Sequence, residues 1–138
     1  MKLLYARNNK PGSWLICAAT MGKWSHSAVL NDGWVYDTTL ASGVRKIEFD
    51  RWLDHYPKYT WVMVDVPDEP EAMLFLETQI GKPYDWTALF GLLFQRNWQE
   101  EDSWFCSELV EAALVAGGRQ RFRDSVSRVT PQQSWSVL

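Results

Sequence analysis

Two apolar, β-rich runs, Ser25 to Leu30 and Trp34 to Thr39, flank Asn31-Asp32-Gly33, and this pattern predicts an antiparallel hairpin. A second turn at Ser42-Gly43 leads into a third strand, Val44 to Phe49, after which Asp50 is placed to cap a short helix through His55. A fourth strand follows from Tyr59 to Val66, where Trp61, Met63 and Asp65 alternate with Val62, Val64 and Val66. Beyond Asp68 the period changes. Met73, Leu76 and Ile80, with Leu74 and Phe75, recur at helical spacing until Gly81 and Pro83 stop the helix. Asp85 can cap another helix, Trp86 to about Phe94; a polar loop runs from Gln95 to Ser103; and Trp104 to Ala116 reads as a third long helix closed by Gly117-Gly118.

Upstream of the hairpin, Asn8 to Gly12 is a turn, and Ser13 is placed as the N-cap of a short buried helix, Trp14 to Ala19. The tail from Arg119 to Leu138 reads as irregular. Strands first and helices after is the α+β pattern, an antiparallel sheet with helices segregated to one side.

At 138 residues the chain is expected to form a single domain, and its 46% hydrophobic and 22% charged residues are those of a globular protein. The net charge of -3 is mild. Arg119, Arg121, Arg123 and Arg128 are the only basic cluster, and with Asp124 beside them they read as solvated surface, so no nucleic-acid partner is expected. The longest apolar patch, Ala88 to Phe94, is far too short to span a membrane and fits a buried helix. Met1 to Arg7 lacks the apolar stretch and cleavage site of a signal peptide, which points to a cytoplasmic protein as synthesised. Cys17 and Cys106 are too few for a disulfide framework and too far apart for a zinc site, so neither a metal nor another cofactor is expected.

The two cysteines differ in setting. Cys106 lies where a helix starts, facing unpaired backbone N–H groups and the positive end of the helix dipole, which favour a thiolate; the other reading is a small buried hydrophobe. Cys17, inside an apolar run, is expected in the core. A thiolate nucleophile needs an imidazole, and the chain has two histidines. His26 shares a strand face with Ala28 and Leu30 and can meet a helix N-terminus, whereas His55 reads as solvent-facing. The hairpin lays Asp37 beside the His26 strand, either to hold the second imidazole nitrogen or as a plain strand-end carboxylate.

Trp24-Ser25-His26, the carboxylate strand after it, Gly81-Lys82-Pro83-Tyr84-Asp85, and the helix start Cys106-Ser107-Glu108-Leu109-Val110 together resemble the circularly permuted NlpC-like cysteine hydrolases. That family includes the YiiX/YebB-like group and, more distantly, the lecithin retinol acyltransferase relatives. His26 precedes Cys106, as the permuted order requires and the ordinary order does not. The resemblance, spanning about Pro11 to Pro131, implies a papain-like core with Cys106 as nucleophile, His26 as base and Asp37 as third member, with Thr38 or Thr39 as substitutes for Asp37. It also implies that Tyr84 and Thr130-Pro131 lie near the site; the plain reading of Tyr84 is a packed aromatic.

Trp24, Trp86 and Trp104 flank these segments, either lining a substrate groove or filling the core. The Cys106 backbone N–H is one expected oxyanion donor. The activity so implied is hydrolysis of an amide, in a peptide or peptidoglycan, through a Cys106 thioester. The alternatives are a lipid ester hydrolase or acyltransferase of the same fold, and a non-catalytic binding module. With neither an export signal nor a wall-binding domain expected, action on the cell envelope would need delivery by a phage or secretion system.

Overall fold

The computed structural model describes residues 1–87, 103–123 and 129–138. Its first strand, β1 (Lys2–Arg7), is interior to the sheet, and Leu3, Leu4, Tyr5 and Ala6 are all fully buried. A strand covered on both faces carries a continuous apolar run without alternation, which is why Met1 to Arg7 gave no strand signal.

The hairpin forms where the sequence places it, between β2 (His26–Asn31) and β3 (Trp34–Thr39). Asp32 and Gly33 take the left-handed angles of a two-residue turn, with φ of 47° and 79°. With β4 (Gly43–Glu48) and β5 (Lys58–Met63) the strands make one antiparallel sheet in the order β4-β3-β2-β1-β5. The fold is thus α+β, an antiparallel sheet packed against helices.

The helices cover both faces, not one. Helix α3 (Glu69–Gln79), capped by the Asp68 carboxylate on the Glu71 N–H at 3.0 Å, and α4 (Cys106–Ala116) pack over Leu3, Tyr5, Val29 and Tyr36. On the opposite face α2 (Phe49–His55) drives Trp52 into a smaller core with Leu4, Ala6, Ala28 and Val35. Glu48 rather than Asp50 is the N-cap of α2, and Asp50 sits in its first turn.

Three other expectations are corrected. Helix α1 (Pro11–Thr20) starts before Ser13, whose hydroxyl instead accepts the Asn8 N–H at 3.1 Å. It is also not buried: Trp14 is 72% exposed and only Ile16 points inward. Cys17 is half-buried on it, with its thiol 3.7 Å from the Lys23 carbonyl, rather than in the core.

The end of the tail forms α5 (Pro131–Ser136), started by a reciprocal pair in which the Thr130 hydroxyl accepts the Gln133 backbone N–H and the Gln133 side-chain Oε1 accepts the Thr130 backbone N–H. Arg121 is not solvated surface: it is sealed against Glu111, Ser134 and Tyr5. Arg119 and Arg123 are exposed; Arg128 and all of the predicted 86–94 helix past Thr87 lie outside the described residues.

Candidate active site

Cys106 is the first residue of α4, with Phe105 as N-cap, so its backbone N–H has no acceptor within the helix. The helix start is fixed from three sides. Trp104 forms a parallel bridge with Tyr84, its N–H donating to the Pro83 carbonyl and its own carbonyl accepting the Asp85 N–H, both at 3.1 Å. The Thr38 hydroxyl, from β3, donates to the same Trp104 carbonyl at 3.5 Å. The Ser107 hydroxyl donates to the Val129 carbonyl, tying in the segment before α5. Trp104 itself stands before the helix rather than within it.

His26 opens β2 and belongs to the α2 face, whereas α4 packs on the other face. The two meet because His26 and Cys106 lie at the end of the sheet, where β2 begins and the strands no longer separate the layers. There the imidazole stands beside the Cys106 side chain and interacts with it electrostatically, while its Nε2 lies 2.9 Å from Asp37 Oδ2. That leaves Nδ1 for the thiol side.

Asp37 is fully buried and fully engaged. Arg45 Nε donates to Oδ1 at 2.8 Å, Arg45 Nη2 to Oδ2 at 3.3 Å, and the Trp52 indole N–H to Oδ2 at 3.0 Å. Tyr56, just past α2, stacks on the imidazole at 4.4 Å between ring centres and 1° between planes.

These contacts set the charge of the pair. Burial by itself disfavours a protonated His26, but the hydrogen bond to Asp37 and the interaction with Cys106 outweigh it and raise the imidazole to about 9. Burial likewise works against an ionised Asp37, and His26 and Arg45 overcome it, holding the carboxyl below its ordinary value. The site therefore keeps a protonated imidazole against a carboxylate at neutral pH.

Cys106 is only 1% exposed, yet it lines a cleft of about 450 Å³ together with His26, Ser13, Thr39, Tyr56 and Tyr84. Tyr84 packs edge-on to Phe105 at 5.8 Å, beside the thiol, and burial pushes its phenol well above the ordinary value. Thr38 also lines the cleft, and neither it nor Thr39 takes the place of Asp37 at the imidazole. His55 is exposed, as expected, and sits on the rim.

Two of the aromatic expectations are corrected. Trp24 is buried in the main core against Trp135, at 5.8 Å, away from the cleft. Trp104 turns its indole toward α3, edge-on to Phe75 and donating to Gln79 Oε1 at 3.1 Å, and contributes only its backbone. Trp86, half-exposed, packs edge-on to Tyr84 at 6.1 Å. Thr130 and Pro131 are buried near Ser107, outside the cleft's lining.

Arg45, Trp52 and Tyr56 carry no signal in isolation. Counting back from the Ser42-Gly43 turn would have paired Arg45 with Asp37, the register that β3 and β4 adopt. Nothing local announces that α2 crosses the face on which His26 lies.

Among the described residues no three His, Cys, Asp or Glu side chains are grouped as metal ligands. Asp37 has both oxygens committed to Arg45, Trp52 and His26, so the Cys106, His26 and Asp37 set does not form a metal centre.

No family model matches the chain, and no curated protein matches it significantly in sequence. Among solved structures, the metalloprotein yiiX of Escherichia coli O157:H7, of the DUF1105 family, is similar with a TM-score of 0.64 and 20% identity. The match covers 87% of this chain and 67% of that one. The likeness is one of fold.

Proposed function

We propose that this chain is a cysteine hydrolase in which Cys106 attacks an acyl carbonyl, His26 transfers the proton and Asp37 orients His26. The observation that carries the reading is the buried relay from Cys106 through His26 to Asp37, aligned at the start of a helix and open to a cleft. In this reading the proton of the Cys106–His26 pair rests on the imidazole. Attack by sulfur gives a tetrahedral intermediate whose oxyanion faces the free N–H of Cys106. His26 then protonates the leaving nitrogen, the C–N bond breaks, and a thioester remains. A water deprotonated by His26 attacks the thioester, releasing the acid and returning the sulfur as thiolate beside the protonated imidazole.

Arg45 helps keep Asp37 ionised, and Arg45 and Trp52 together hold it in place, which fixes the plane of the imidazole. No step requires a metal. The resemblance drawn from the sequence favours an amide of a peptide or of peptidoglycan, and the same chemistry would serve a lipid ester or acyl transfer.

The purified chain, incubated with muropeptides, peptides and acyl esters, should release product from one class and carry the matching acyl mass on Cys106. Cys106→Ala should abolish both. A folded wild type that binds one of these compounds without turnover or adduct would make the chain a binding module instead.

A further inference from the structure

The chain has a net charge of -3, yet among the described residues none that lines the cleft is acidic. The lining includes Lys10, Arg45 and His55. Asp37 is fully buried behind the imidazole, and Asp85 and Glu108, which lie close enough to act on the Tyr84 phenol, are buried as well, so none of the three is in the lining.

Arg45 carries the inference furthest. It meets Asp37 side-on, through Nε and Nη2, which leaves Nη1 and the outer hydrogen of Nη2 unspent. This is the end of the guanidinium fork that pairs with carboxylate or phosphate oxygens. Among the described residues no acceptor takes it, and the Arg45 side chain is 22% exposed and faces the cleft. Lys10, at the N-cap of α1 and on the same cleft, has no ion-pair partner among the described residues. The first turn of α1, which adds no acidic residue, lines the cleft with Gly12 and Ser13.

Resting on the nucleophile reading above, we propose that the cleft selects acyl substrates carrying an oxyanion, a carboxylate or a phosphate, bound by the free end of Arg45 and by Lys10. The Asp37–Arg45 pair then does two things: its inner edge holds the carboxylate that orients His26, and its outer edge holds the substrate. The oxyanion enters where the protein has a permanent donor pair and, among the described residues, no acid in the lining.

The test uses the full chain and two alkylating agents, iodoacetate and iodoacetamide, which present a carboxylate or an amide on the same reactive carbon. Rates at Cys106 are read by peptide mapping, and their ratio cancels the intrinsic reactivity of the thiol. Protonated His26 raises the ratio by itself, so the decisive comparison is among wild type, Lys10→Glu and Arg119→Glu. The last makes the same charge change at an exposed position beyond the far end of α4.

The ratio should fall about threefold at low salt in Lys10→Glu and hold in Arg119→Glu. Added succinate or inorganic phosphate should slow iodoacetamide, and the stronger protector identifies the preferred oxyanion. If Cys106 reacts rapidly with both agents, with one ratio in all three proteins and no protection, the oxyanion site is overturned and the nucleophile stands. If Cys106 reacts no faster than Cys17 with either agent, the nucleophile reading falls and the oxyanion site with it.

Discussion

His26 is where the site's chemistry and the protein's stability meet. An imidazole held near 9 when folded and at 6.5 when unfolded binds a proton more tightly in the native state. Its contribution is therefore complete below about pH 6.5 and is lost as the pH rises through about 9, amounting to on the order of 3 kcal/mol. Urea unfolding of wild type should show that decline across this window, and His26→Gln should flatten it; an unchanged slope would contradict the charged imidazole. In the proposed reaction Asp37 acts one step further from the substrate. Asp37→Asn should slow turnover by a large factor, yet less than Cys106→Ala, with circular dichroism checking that the variant is folded.

At this scale the grouping of Cys106, His26 and Asp37 was legible because the chain offers few alternatives: two cysteines, two histidines and a carboxylate on the strand paired with that of His26 by the Asn31-Asp32-Gly33 turn. Tyr56 was not legible, because its stack on His26 depends on where α2 lies and not on its sequence neighbours.

Among the elements, the turns were read well and the burial of apolar segments less so. Gly43 has φ of 62°, and a Cβ there would lie 2.2 Å from the Lys82 carbonyl oxygen, so the turn before β4 needs glycine for both its angle and its space. Gly43→Ala should cost more than about 1 kcal/mol, measured as a lower urea midpoint. A stability equal to wild type would mean that the β4 turn and the Lys82 segment do not approach as described.

Helix α1 was misjudged because an apolar run was equated with burial, whereas Trp14 and Met21, at 72% and 96% exposed, face solvent. Helix α5 had a readable signal, Thr130-Pro131 followed by Gln133, which is a capping pair with proline in the first turn. Its shortness and the arginines before it hid that.

In the whole molecule, the order of strands followed by helices was enough to give α+β architecture, but it could not reveal that α2 covers the second face or that the tail closes the structure. The closure is polar. Glu111 of α4, Arg121, Ser134 of α5 and the Tyr5 hydroxyl of β1 form one buried network, in which Ser134 donates to Glu111 at 2.6 Å and Arg121 Nη2 to Ser134 at 2.9 Å. Removing one partner leaves a buried charge alone, so Arg121→Met should destabilise by about 3–5 kcal/mol. The double change of Arg121→Met with Glu111→Leu should recover much of that loss in the same unfolding assay.

The network matters to the site because α4 presents Cys106 at one end and is anchored by Glu111 further along. The account as a whole rests on Cys106 being activated by His26, and the most direct measurement is the rate at which iodoacetamide modifies each cysteine of the folded chain near neutral pH. Wild-type Cys106 should react faster than Cys17, and His26→Asn should slow Cys106 by about tenfold while leaving Cys17 unchanged. Equal labelling of the two cysteines, or a Cys106 rate indifferent to His26→Asn, would contradict it.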